Sequence, residues 1–308
     1  MVNVKALHFL IVMTIIVTMK LFSLFSSHFY KPSWIYKAGS QLWRILFSHG
    51  HLLAGEHRDN DAKKVTFFCV DSRSGQEQWN MSRKDEGWWT TTEGVYGKNL
   101  YLHAFAKPDL PHPKHVTAID METGRVLWEH PEYTFLYVTG DAVVVEKRDL
   151  EQTRCHRLDP RSGEIYDTID DYAIVEAERY EARSQDPHLH LTFPNIYNPE
   201  MNDHSNFITL INKIQQKERL VDPIEVLQYE NNLLICYHKV KGGEVNGNTN
   251  FTHELVIFDK NKHNELYRDT LYDNASAPVP DGFFIRENVL YYIRKKSELV
   301  AVTLQDVP

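Results

Sequence analysis

A phrase recurs along this chain, and few folds can accommodate it. One copy is Val65-Thr-Phe-Phe-Cys-Val-Asp71-Ser-Arg-Ser-Gly75-Gln-Glu-Gln-Trp79. Another is Val116-Thr-Ala-Ile-Asp120-Met-Glu-Thr-Gly124-Arg-Val-Leu-Trp128. In both, Gly follows Asp by four residues and Trp follows Gly by four. Weaker copies centre on Asp159 and Gly163, ending at Tyr166, and on Asp259 and His263, ending at Tyr267. Leu299–Leu304 reproduces only the first half. The physical reading is a strand that ends at Asp, whose carboxylate accepts N–H groups of the following turn. Gly supplies the positive φ that the turn needs. The next strand then carries Trp to a fixed place. A period of roughly 40–50 residues is that of a four-stranded propeller blade.

The rest of the chain reads as short strands. Gln41–Phe47, His51–Arg58, Asn99–Ala106, Phe135–Val138, Ala142–Lys147, Ile224–Tyr229, Asn232–His238 and Val289–Lys295 are aromatic or β-branched runs bounded by turn residues. The fold class expected is therefore all-β, a β-propeller of about six four-stranded blades, with five to seven compatible with the spacing. Ser33–Ala38 resembles the half-phrase missing at the C-terminus. It is expected to complete the last blade as the outer strand beside Leu299–Leu304, removing a free sheet edge. Residues 206–217 carry apolar side chains at helical spacing and predict one short inserted helix, capped by Ser205 or Asn206 and packed over one end of the propeller. Lys107–Lys114, with three prolines, and Lys241–Asn250 read as exposed loops.

Two segments organise the chain: residues 1–30, hydrophobic, and residues 31–308, a single propeller domain. Ala6–Phe25 is about long enough to span a bilayer as an N-terminal hydrophobic helix if Lys20 reaches the interface. Three readings compete: an uncleaved anchor, translation that starts at Met19, and a cleaved signal peptide, which lacks a small-residue cleavage site. The first places the protein at a membrane, the second in the cytoplasm.

The net charge of −8 disfavours a nucleic-acid-backbone binder. Cys69, Cys155 and Cys236 are far apart, form no metal or redox spacing, and read as reduced, half-buried strand residues. Sixteen histidines include His188-Leu-His190 and His112-Pro-Lys-His115. With no carboxylate or cysteine at ligand spacing, they read as surface groups. The acid pairs Asp170-Asp171 and Asp85-Glu86 read as solvated loop charge. Trp88-Trp89 and Tyr291-Tyr292 each split across two faces of a strand, one member in the core and the other free for a channel mouth or a sugar- or peptide-binding surface. No nucleophile elbow, phosphate loop or dinucleotide motif occurs. No catalytic, cofactor or metal residue is assigned.

The phrase Ala-x-Asp-x-x-Thr-Gly-x-x-x-Trp is similar to the repeat of PQQ-like propellers. Quinoprotein dehydrogenases of that group are longer and carry an adjacent cysteine pair absent here. Their lipoprotein relative needs an N-terminal cysteine that is also absent. Ser40–Leu46, Asn198-Pro-Glu200 with the helix that follows, and Gly282–Val300 together resemble an uncharacterised bacterial family, domain of unknown function 4905. That resemblance implies a compact β protein with no assigned activity, beginning close to Met19. The functional expectation is a non-catalytic binding or scaffold module for a protein or small-molecule partner. The alternatives are a hydrolase or lyase at the channel mouth and a membrane-tethered envelope sensor.

Overall fold

The computed structural model describes residues 29–107, 110–148, 152–184, 190–241 and 250–305. The expected 6–25 helix, His188 and most of Lys241–Asn250 lie outside the described residues. Among the described residues, no helix is long and apolar enough to cross a membrane.

The strands form five antiparallel sheets in propeller blades. Blade 1 holds β2 (Gln41–Phe47), β3 (Leu52–Asp59), β4 (Lys64–Asp71) and β5 (Glu77–Lys84). Blade 2 holds β6 (Thr90–Tyr96), β7 (Asn99–Lys107), β8 (Leu110–Asp120) and β9 (Val126–His130). Blade 3 holds β10 (Thr134–Val138), β11 (Val143–Arg148), β12 (Thr153–Leu158) and β13 (Ile165–Ile169). Blade 4 holds β16 (Leu220–Tyr229), β17 (Asn232–Val240), β18 (Phe251–Asp259) and β19 (Glu265–Ala275). Its inner edge is extended by β15 (Asn195–Ile196). Blade 5 holds β20 (Phe283–Arg286), β21 (Val289–Arg294) and β22 (Glu298–Thr303), with β14 (Leu191–Thr192) on its inner edge.

The ends of the chain meet as expected. β1 (Trp34–Lys37) pairs antiparallel with β22, Trp34 opposite Ala301 and Lys37 opposite Glu298, and forms the outer edge of blade 5. A single exposed edge strand would otherwise remain at the C-terminus.

The phrase does what its chemistry suggests. Asp71 accepts from the Arg73 N–H, Asp120 from Thr123, Asp159 from Arg161 and Ser162, and Asp259 from Asn261 and Lys262. Gly75, Gly124 and Gly163 all sit near φ +70°. The tryptophans show why glycine is needed twice over. Each indole lies on the turn glycine of the next blade, Trp34 on Gly75, Trp79 on Gly124 and Trp128 on Gly163. A Cβ on any of these glycines would fall within 2.7 Å of the ring. Each indole N–H also donates to a carbonyl of that turn, at Ser72, Met121 and Pro160. The phrase is thus a docking device that runs from blade 5 to 1, 2 and 3.

It stops there for a structural reason. Directly after blade 3 the chain enters helices and two-residue edge strands in place of another blade, and Tyr166, at the end of its phrase, is exposed. Residues that the period would give to a further blade instead form α1 (Tyr172–Arg183) and α2 (Ser205–Gln215). Five sheets therefore form among the described residues, within the five to seven that the spacing allows. α1 buries Val175 and Ala182 against Tyr137, Val144 and Cys155 of blade 3. α2 buries Phe207, Leu210, Ile211 and Ile214 against Val226, Ile235 and Val256 of blade 4.

Several details differ from expectation. α1 is an additional helix, and Asp171 is its N-cap, accepting from the Ala173 N–H, not a free loop charge. α2 begins at Ser205 behind His204 with no side-chain cap, so neither Ser205 nor Asn206 caps it. Most of Lys107–Lys114 is ladder, paired out to Lys107 opposite Leu110. The prolines fit because β9 covers β8 only from Val116 to Ile119, leaving the proline end of β8 as an edge.

Candidate functional site

The blades pack through apolar seams, several of which hold a cavity. The seam between blades 4 and 5 combines its cavity with a mostly apolar lining. A cavity of about 400 Å3 opens at the end where β20 begins. Its walls include Leu42 of blade 1, Leu271 and Tyr272 of blade 4, and Phe283, Phe284, Tyr292 and Ile293 of blade 5. Val279, Pro280, Asp281 and Gly282 cross it as the segment leading into β20. Lys296, Gln41, His238 and His253 supply its polar groups.

Beneath this cavity lies a buried polar cluster. Strand pairing builds it. Glu225 of β16 stands opposite Cys236 of β17, and His238 of β17 stands opposite His253 of β18. Alternation along β17 puts Cys236 and His238 on one face. Cys236 is fully buried, and Glu225, His238 and His253 are 4%, 1% and 6% exposed. Cys236 Sγ lies 3.0 Å from His253 Nε2, and the imidazoles of His238 and His253 stack at 3.9 Å between ring centres. The Glu225 carboxylate accepts N–H groups from Asp281 and from Gly282, the latter at 2.9 Å. It thereby fixes the entry to β20 across the seam. One oxygen of Glu225, Cys236 Sγ and a nitrogen of His253 all lie within 4.8 Å of one another.

Burial controls the protonation of this cluster. It pushes the Cys236 thiol well above its usual range, with the Glu225 charge acting in the same direction. It lowers His253 to about 3, helped by His238, and lowers His238 as well. It raises Glu225, opposed by the N–H groups of Gly282 and Asp281. The cluster is therefore neutral at the thiol and at both imidazoles. Among the described residues, no lysine or arginine pairs with Glu225. One polar atom of the cluster, His238 Nδ1, has no hydrogen-bond partner, while its Nε2 accepts from the Val279 N–H at 3.2 Å.

Sequence reasoning did not find this cluster. It treated the histidines as surface groups, yet His57, His103, His204, His238 and His253 are buried. It expected half-buried cysteines, yet all three are free and buried. The one available signal was polar residues inside otherwise apolar strand runs, such as His238 and His253. Of the groups considered earlier, His190 is exposed, and His115 lies 3.8 Å from Glu129. Trp88 is buried and Trp89 exposed, as expected of a split pair, although on a 3-10 turn. Tyr291 and Tyr292 are both buried, because β21 has apolar packing on both faces. Tyr292 lines the cavity.

The fold and this seam define an all-β propeller with a cavity over a buried thiol–imidazole–carboxylate cluster. Residues 48–128 match the family model described as domain of unknown function DUF4905, whose name carries no activity. No curated protein matches the chain. Among solved structures, it is similar to the uncharacterized protein lmo1340 from Listeria monocytogenes EGD-e, at 8% identity and TM-score 0.32, covering 88% of this chain and 96% of that one. It is also similar to the Dos1 propeller, at 10% identity and TM-score 0.29, covering 86% and 68%. A third is the β-propeller domain of the Trilobed protease from Pyrococcus furiosus, at 10% identity and TM-score 0.30, covering 83% and 64%.

Proposed function

We propose that this protein is a non-catalytic binding module and that the cavity between blades 4 and 5 receives its ligand. The observation that carries the reading is the lining of that cavity. It is mostly apolar and aromatic, with few convergent polar groups, and its volume of about 400 Å3 lies in the usual range of small-molecule pockets. Lys296 supplies one cation, its ammonium 4.8 Å from the Tyr272 ring centre. The chemistry fits a ligand with an apolar body and one anionic group.

A thiol-hydrolase reading draws on the contact between Cys236 and His253. The electrostatics oppose it. A nucleophilic cysteine needs a lowered thiol and a partner able to hold the proton. Here burial raises the thiol and lowers the imidazole, so a thiolate–imidazolium pair is disfavoured. The membrane-tethered reading rests on residues 6–25 alone.

The test uses 8-anilinonaphthalene-1-sulfonate, an apolar body with a sulfonate, titrated into the folded full chain. Saturable binding at one site is expected. Val279 is exposed at the cavity, so Val279→Trp should fill the opening without disturbing the core and weaken binding by tenfold or more. Unsaturable binding, or binding that ignores this substitution, overturns the assignment of the site.

A further inference from the structure

We propose that Glu225, Cys236 and His253 form a binding site for one divalent cation of borderline softness, of the zinc class. The donors come from three adjacent strands of blade 4, and their ligand atoms already lie within 4.8 Å of one another. One thiolate, one imidazole and one carboxylate are a donor set that suits zinc, and three protein donors leave a fourth position open. His253 and Gly282 also line the cavity, which supplies a route from solvent.

Two further observations point to a ligand. The first is a missing charge. Among the described residues four glutamates are buried, and Glu254 is paired with Lys239 and Arg268. Glu56 is paired with Arg58 at 2.8 Å, and Glu146 is paired with Arg148. Glu225 is as deeply buried but has no basic partner among the described residues. A buried carboxylate without a cation is costly. A divalent ion beside it supplies what Arg58 and Arg148 supply elsewhere.

The second is the way the chain passes the cluster. A Cβ at Gly282 would lie 2.6 Å from Cys236 Sγ, 3.0 Å from His253 Cε1 and 3.1 Å from a Glu225 oxygen. Only glycine leaves the space between the three donors free. Its φ does not require glycine, so the close approach accounts for the residue. His238, buried with an unpartnered Nδ1 and stacked on His253, adds a second imidazole at the same wall.

The geometry also says what must move. Tetrahedral zinc with normal bond lengths separates a sulfur and a nitrogen ligand by about 3.6 Å. Sγ and Nε2 stand at 3.0 Å, held as a hydrogen-bonded pair. Binding therefore opens that pair by roughly half an ångström. The thiol proton leaves to solvent as the sulfur–metal bond forms. The imidazole, already neutral, donates its nitrogen lone pair, and the carboxylate binds ionised.

The test is a Co2+ titration of the full-length chain after treatment with a chelator and dialysis. One equivalent should bind and produce a near-ultraviolet thiolate-to-metal charge-transfer band, and one equivalent of Zn2+ should abolish it. Cys236→Ser should remove the band and weaken Co2+ binding by 100-fold or more, while His190→Ala should leave both unchanged. Absence of the band in the folded wild-type chain overturns the proposal, as does a band that survives in Cys236→Ser. The wild-type titration decides the matter even if the variant fails to fold. The band reads the thiolate–metal bond and 8-anilinonaphthalene-1-sulfonate reads the cavity, so dye binding without the band overturns this proposal alone, and the band without saturable dye binding overturns the cavity reading alone.

Discussion

Two seams of this molecule perform the same mechanical task with different chemistry. Between blades 1 and 2, the Glu56 carboxylate accepts from the Thr92 N–H at 2.7 Å and from the Thr91 hydroxyl. The Arg58 guanidinium balances its charge and donates onward to the carbonyls of Trp88 and Thr90. Trp79 then locks the outer end onto Gly124. Between blades 4 and 5, Glu225 makes the matching clamp to Asp281 and Gly282, but no guanidinium accompanies it and no tryptophan follows. Its neighbours are a thiol, two imidazoles and a cavity. The first seam has its charges paired and its outer end locked, as a structural joint would. The second leaves the Glu225 carboxyl without a basic partner among the described residues, beside a thiol and two imidazoles, and its outer end without an indole lock.

The largest expected effect separates the two clamps. Arg58→Ala strands the Glu56 carboxylate at zero exposure and should cost about 3–5 kcal/mol. Glu225→Gln in metal-free protein removes no buried ion pair and leaves one backbone N–H without its acceptor. Its cost should be about 1–2 kcal/mol. Urea denaturation of both variants checks the ranking. Equal losses would mean that the seams are energetically alike and that the missing cation has no significance.

The tryptophan lock comes next. Trp79→Ala removes a half-buried indole and its hydrogen bond to the Met121 carbonyl, for about 2–3 kcal/mol, below the usual range for a fully buried tryptophan. Tyr166→Ala, where the phrase has no following blade to dock on, should stay within about 0.5 kcal/mol. Thermal unfolding of the pair tests whether the phrase matters only where a next blade receives it.

The blade 4–5 seam has its own polar joint in place of a tryptophan. The hydroxyls of Tyr267 and Tyr292 lie 2.6 Å apart, and Tyr292 donates to Asp269, which also pairs with Arg294. Burial and the Asp269 charge push the Tyr292 hydroxyl far above its usual range, so it stays protonated, donating to Asp269 and accepting from Tyr267. Tyr292→Phe should cost about 1 kcal/mol by denaturation. A loss as large as that of Trp79→Ala would show that this network is the equal of the indole lock.

What could be read from the chain follows the same division. The phrase was legible because its physics is local: Asp71, Gly75 and Trp79 occupy one turn and its flanks, and the repeat betrays their shared role. Closure of the last blade by Trp34 was legible because the two half-phrases are complementary. The cluster was not legible. Glu225, Cys236 and His253 meet only through the register of three strands, and β16 is irregular between Val221 and Glu225. Counting residues along the chain does not reveal which side chains that irregularity brings together. α1 escaped notice because it buries little, leaving Tyr172, Ile174 and Tyr180 exposed, so its apolar pattern is faint. Only the capping Asp171 marked its start.

Acid offers the mildest way to separate the two seams. The Arg73 side chain beside Asp71 holds its carboxyl at about 2, and Asp120 and Asp159 are lowered by hydrogen bonds from Thr123 and from the backbone N–H groups of Ser162 and Arg161. All three belong to the turns on which Trp34, Trp79 and Trp128 dock. A carboxyl whose folded value is depressed adds stability above its unfolded value, near 4, and that stability is lost as the pH falls toward the folded value. Between pH 4 and pH 2 the turns of blades 1 to 3 should therefore weaken. These carboxylates are partly exposed at surface turns, where solvent screens them, so the effect of each is small. Asp71→Asn should lower the urea midpoint slightly at pH 6, and its difference from wild type should shrink toward zero near pH 2. Hydrogen exchange over the same interval should accelerate first at the turns after β4, β8 and β12. Acceleration that begins instead in β16 to β18 would reverse the assignment of which seam depends on the charged turns.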